Sequence, residues 1–171
     1  MIKPVKSSEL LGQKVKMNQF RNTIYELVLK LREKKNLSNE EIIFHLKDIG
    51  KNISLKYIQY WSPQADNEID ILKEIHQFVF KKKVKVKTKE ELKNEFPGDI
   101  IVIEKDCCFC KYERPDIGRI AGCNITVAFI EEFFHSLSKV NSKIPQLEGI
   151  VSNSKTFGDK KCIFSYKIKG N

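Results

Sequence analysis

Five cysteines supply most of the reactive chemistry of this 171-residue chain, and all of them lie beyond residue 106. Cys107 and Cys110 stand at Cys-x-x-Cys spacing, which is half of a tetrahedral thiolate site for zinc. The other half has to come from elsewhere in the fold. Cys123, at the head of an apolar run, and Cys162, after Gly158-Asp159-Lys160-Lys161, are the candidates. Such an ion would tie strand, helix and hairpin to one point and give stability rather than catalysis. The same thiols can instead be small buried apolar groups, and Cys123 amid Ala121, Gly122 and Ile125 suits that reading. A thioredoxin-like redox pair is disfavoured. Its first cysteine should open a helix whose dipole stabilises the thiolate, whereas Cys107 follows a strand pattern.

Little else in the sequence could catalyse a reaction. His45, His76 and His135 fall on three separate helical stretches, and no Ser-His-Asp order, HExxH pair or glycine-rich phosphate loop occurs. Glu131 and Glu132 adjoin in sequence and so do not face each other on a helix. The expectation is therefore a protein that is not an enzyme.

Charge gives a broader signal. With 31 Lys and Arg against 22 Asp and Glu the chain carries a formal net charge of +9, which favours an anionic partner or reflects lysine used for solubility. The densest cluster is Lys81, Lys82, Lys83, Lys85 and Lys87, continued by Lys89. On the wet face of an edge strand, lysines discourage unwanted strand pairing. Against an anionic membrane surface each is worth about 1 kcal/mol. Nucleic acid is disfavoured because no aromatic residues alternate with these lysines to stack on bases.

Length and a 41% hydrophobic content suit one globular domain over 17–171, preceded by a flexible basic segment over 1–16. Met1 to Gln13 has no apolar run of signal-peptide length, and no stretch of about 18 apolar residues occurs, so export and membrane spanning are not expected. Five is an odd number, which fits an oxidised disulfide framework poorly. The expected compartment is the cytoplasm, with peripheral contact on a membrane as the corollary of the basic cluster.

Periodicity supplies the elements that would position the cysteines. Helical spacing of Phe20, Ile24, Leu27, Val28 and Leu31 predicts a helix over 17–34. Ser38 and Glu41 form a capping-box signature for a second helix with Ile42, Leu46, Ile49, Ile53 and Tyr57 inward, and Gly50 in its middle marks a close approach or a kink. Trp61-Ser62-Pro63 ends it, and Trp61 caps an apolar edge before the third helix. That helix spans about 67–82, with Ile69, Leu72, Ile75, His76, Val79 and Phe80 inward. Strands follow near 84–88 and 100–103. A fourth helix, from about 117 or 124 to 140, is apolar on most sides and must be buried against more than one neighbour. Two last strands, about 149–157 and 162–168, are joined through Gly158-Asp159-Lys160-Lys161. The order ααα-ββ-α-ββ gives an α+β domain with a four-stranded antiparallel sheet packed on helices.

On these residues and this order the chain resembles the superfamily that joins vinyl reductase (4-vinyl reductase, hydrocarbon-binding) domains with core subunits of the transport protein particle (TRAPP), which tethers vesicles. In the vinyl reductase branch a cysteine near the end of the second strand, another opening an apolar helix, and a Gly-Asp turn followed by a cysteine and an aromatic residue are typical. Cys110, Cys123, Gly158-Asp159 and Cys162-Ile163-Phe164 occupy those places, while Ser154 stands where many members have one more cysteine. Some trafficking members carry an acylated cysteine between the second and third helices. Trp61 to Asn67 holds none, so covalent acylation is not supported.

The resemblance implies a non-enzymatic homodimer that binds a hydrophobic small molecule or acyl group beneath the fourth helix. Phe129, Ile130, Phe133 and Phe134, with Phe164 and Tyr166 from the sheet, are the candidate lining, and ordinary core is the competing reading for each. The alternative is a trafficking scaffold that assembles with homologous subunits at a membrane. Structural zinc is the one cofactor suggested.

Overall fold

The computed structural model describes residues 7–169. Its elements run α1 (Ser7–Lys35), α2 (Asn39–Tyr57), α3 (Glu68–Phe78), β1 (Lys85–Thr88), β2 (Ile100–Glu104), α4 (Asn124–Val140), β3 (Gln146–Asn153) and β4 (Cys162–Lys169), with short 3-10 turns between some of them. This is the expected α+β order. The first helix starts at Ser7 rather than Met17, so residues 7–16 continue it, and residues 1–6 of the expected N-terminal segment lie outside the described residues.

The four strands form one antiparallel sheet in the order β1-β2-β4-β3. Register follows the period-two pattern: Val102 lies opposite Phe164, Glu104 opposite Cys162, and Gly149 opposite Tyr166. β1, with its lysines, is an edge strand, as its composition suggested. The strand before the Gly-Asp turn runs 146–153, about three residues earlier than the pattern placed it. The intervening residues Lys155–Phe157 form a 3-10 turn, closed by Gly158 at φ +92, a conformation that glycine adopts without steric cost.

The apolar helix α4 lies in the middle of the molecule, between α2 on one side and β3 on the other. Asn124 through Ile130, then Phe133 and Phe134, are all buried. Gly50 is the reason α2 comes so close: a Cβ there would run into the carbonyl of Ile125. The buried seam of α2 is Ile42, Leu46, Gly50 and Ser54, every fourth residue.

That seam corrects the expected stripe. Ile42 and Leu46 are inside, but Ile53 is 40% exposed and Ile49 and Tyr57 are half-buried, because the small residues Gly50 and Ser54 face the partner helix instead. Phe20, at 42% exposed, likewise lies outside the α1 core formed by Ile24, Tyr25 and Val28. In α3 the helix ends at Phe78, so Val79 is its cap and Ile71 takes an inward place that the pattern had not assigned.

Local chemistry sets the ends. Ser38 accepts from the Glu41 amide while the Glu41 carboxylate accepts from the Ser38 amide, completing the capping box. Asn67 caps α3 by accepting from the Asp70 amide. Glu131 binds the layers together: it accepts from Lys47 Nζ at 3.0 Å and from the Gly149 amide at 2.7 Å, joining α4 to α2 and β3.

Candidate metal centre

Three separate parts of the chain deliver the four cysteines. Cys107 and Cys110 lie in the loop after β2, Cys123 is the N-cap residue of α4, and Cys162 is the first residue of β4. All four are buried, and their sulfurs lie within 4.8 Å of one another. Zinc–sulfur bonds of about 2.3 Å in a tetrahedron place sulfurs roughly 3.8 Å apart. A contraction of no more than about 1 Å would therefore bring the set to that geometry. Four thiols with no amine or guanidinium among them are a soft donor set that suits zinc.

The supporting shell comes largely from α1. Tyr25 donates its hydroxyl to the Phe109 carbonyl at 2.5 Å, and Arg21 Nε donates to the Cys108 carbonyl at 2.6 Å. Two side chains one helical turn apart thus hold the loop that carries Cys107 and Cys110. Arg114 packs its guanidinium on the Tyr25 ring, 4.5 Å from the centroid. Gly122 lets the loop pass against the start of α4, since a Cβ there would sit 3.1 Å from that of Phe109.

The Gly-Asp turn completes the shell. Asp159 accepts from the Ser154 amide at 2.9 Å and from Asn153 Nδ2 at 3.1 Å, ordering the link between β3 and β4. This places the Ser154 hydroxyl 3.9 Å from Cys123 Sγ and 3.8 Å from Cys162 Sγ, within reach of a sulfur hydrogen bond to each. Ser154 is thus a neighbour of the thiols rather than a missing ligand.

Electrostatics within the cluster are uneven. Burial pushes the Cys107 and Cys123 thiols well up. At Cys110 burial also opposes ionisation, but bonds from Cys107, Cys123, Cys162 and Ser154 outweigh it and hold this thiol below its usual range. A divalent cation at the centre of the cluster would favour ionisation of its ligands. The neighbouring Glu104, buried at the end of β2, is raised to about 7 by burial against the pull of Lys82 and a bond from Cys107.

The fifth cysteine stands apart. Cys108 turns away from the cluster and donates its thiol to the Phe80 carbonyl at 3.6 Å, and burial, with Glu104 adding to it, pushes it up to about 11. The odd count thus resolves as four and one.

The other candidate residues fall into two groups. Phe129, Ile130, Phe133, Phe134, Phe164 and Tyr166 are all buried, with Phe129 also against Tyr57 of α2. Phe129 stacks on Phe133 with centroids 5.6 Å apart and meets Phe80 edge-on at 5.3 Å. The lysines lie at the surface around β1: Lys81, Lys83 and Lys85 are exposed, Lys82 is half-buried, and Lys87 is paired with Glu91. His76 is the one fully buried histidine, between the rings of Phe80 and Phe164. Trp61 stacks on Phe78 at 4.5 Å and touches Phe133, covering the edge between α2 and α3 as expected.

The part played by α1 was not read from the sequence. Tyr25 and Arg21 are four residues apart, which puts them on one helix face, but nothing local says that this face meets a loop more than 80 residues away.

No protein-family model matches this chain, and no curated protein matches it by sequence. Among solved structures it is similar to a trafficking protein particle complex subunit 3 from Naegleria fowleri, covalently bound to palmitic acid. The TM-score is 0.63 at 16% identity, covering 91% of this chain and 96% of that one. The likeness establishes a shared fold, the one that the order of elements suggested.

Proposed function

We propose that this chain is a non-enzymatic assembly subunit that pairs with a second copy of itself through α2, in the manner of a trafficking scaffold. One observation carries the reading. Besides the seam buried against α4, α2 has a second apolar stripe that the described residues leave partly open: Ile49 and Tyr57 are half-buried, Ile53 is exposed and, just past the helix, Tyr60 is 86% exposed. These residues line a shallow hollow of about 530 Å³. An apolar stripe left open on a helix is the usual mark of a partner surface. The shared fold with a subunit of a multi-chain trafficking complex supports it. Sedimentation over a range of concentrations tests it: a dimer is expected that Ile53→Asp with Tyr60→Ser converts to a folded monomer, whose thermal midpoint no longer rises with protein concentration. A chain that stays monomeric throughout would reject the reading, as would a dimer indifferent to both changes.

Cys107, Cys110, Cys123 and Cys162 hold one zinc ion in this proposal, and the ion locks the loop, α4 and β4 together. Its chemistry is structural: a closed tetrathiolate leaves no position for a substrate. The four cysteines and Gly158-Asp159 also favour kinship with the vinyl reductase branch.

A hydrophobic ligand beside Phe129, Ile130, Phe133, Phe134, Phe164 and Tyr166 is the second reading. It is favoured by the palmitic acid on the similar subunit. Attachment here would have to be non-covalent, since no cysteine lies between α2 and α3. An organic molecule released on denaturation and seen by mass spectrometry would support it; its absence from protein purified without detergent would count against it.

A further inference from the structure

The loop that carries Cys107 and Cys110 has an outer side, and there it walls a cleft of about 580 Å³ between α1 and the end of α3. That volume is within the roughly 300–1,000 Å³ typical of small-molecule sites. The floor is apolar, made by Met17, Phe20, Val79, Phe80 and Phe109. Phe20 leans on Phe109 with ring centroids 5.5 Å apart yet remains 42% exposed, so hydrocarbon surface is left facing the opening.

The rim is cationic. Lys16, Lys81 and Lys82 line it, and among the described residues none of the three forms an ion pair, whereas Lys73 and Lys87 on either side of them do. Lys81 extends its ammonium over the Phe78 ring, 4.7 Å from the centroid, and its backbone takes the left-handed φ of 55°. Lys82 is half-buried and close enough to act on Glu104 and on Cys108, itself one of the lining residues. An apolar floor takes hydrocarbon, and ammonium groups outside any ion pair take an anion. A ligand that offers both is an alkyl chain ending in a carboxylate.

We propose that this cleft binds a single-chain carboxylate amphiphile, its chain along Phe20, Phe80 and Phe109 and its head group between Lys16, Lys81 and Lys82. The cleft shares no lining residue with the α2 hollow, and of the cysteine loop it uses Cys108 and Phe109 rather than the four clustered thiols.

Dodecanoate, which stays monomeric at useful concentrations, is the probe. Isothermal titration of the full chain should give one bound dodecanoate. Dodecanol and dodecyltrimethylammonium should each bind at least about tenfold more weakly, the worth of one charge-assisted contact. Lys16→Glu with Lys81→Glu should weaken dodecanoate by at least about tenfold at an unchanged thermal midpoint, since both side chains are exposed. Phe20→Asp should weaken dodecanoate binding by a similar factor. Dodecanoate bound equally by the variants, dodecanol bound as well as dodecanoate, or no binding at all would overturn the proposal. So would binding only to anionic vesicles, which would make the rim a membrane contact, or a loss of self-association in Phe20→Asp that leaves dodecanoate binding intact.

Discussion

Single residues decide how tightly this molecule is built. Gly50 is the clearest case, because α2 rests directly on the backbone of α4 at that point. Gly50→Ala should destabilise by about 1–3 kcal/mol, the usual cost of forcing extra volume into a packed contact, and urea unfolding will measure it. His76 is the second. Buried between Phe80 and Phe164, it is pushed down to about 3 from an ordinary 6.5 by desolvation. The unfolded chain takes up a proton as pH falls through 6.5 while the folded one does not, so this group's stability is intact above 6.5 and is lost progressively toward 3. The loss is about 1.4 kcal/mol per pH unit in that window. His76→Phe should flatten the fall in unfolding free energy between pH 6.5 and 4 relative to the native chain; an unchanged slope would show that His76 is protonated in the folded state. At this scale the sequence was informative about types. Gly50 was marked as a close approach or a kink, and the Cys107/Cys110 spacing offered half of a metal site with Cys123 and Cys162 as candidates for the other half. The roles of Ser154 and Tyr25 were not legible, because each acts through a contact made only after the chain has folded.

Elements were legible wherever one face alone is buried. The alternation in β1 and the continuous apolar run of β2 were read correctly, since an edge strand and a central strand differ in composition. The apolar girth of α4 pointed to a helix covered on two sides, and it is. The reading failed on α2 for a physical reason. That helix carries two stripes, and the larger one was assigned to the core, whereas close helix contact selected the smaller residues Gly50 and Ser54. The β3 boundary slipped because the Ser154 cap and its 3-10 turn look like continued strand in composition. The displaced stripe is the basis for the self-association expected above.

At the scale of the whole molecule, the question is what ties the far end of the sheet to the helices. Hydrophobic burial supplies most of the core. The loop after β2, the head of α4 and the start of β4, however, converge on sulfur rather than on hydrocarbon alone. If the four thiols hold zinc as proposed, losing one ligand should cost about 3 kcal/mol, which for a chain of this size is a drop of roughly 6–12 °C in thermal midpoint. The most direct measurement is native mass spectrometry of protein expressed with zinc available and kept reduced, beside its Cys110→Ser and Cys108→Ser variants. One zinc per chain is expected in the native protein and in Cys108→Ser, with the ion lost and the midpoint lowered in Cys110→Ser. Metal-free native protein that is just as stable, or zinc held equally by all three, would mean that the four buried thiols are only packing.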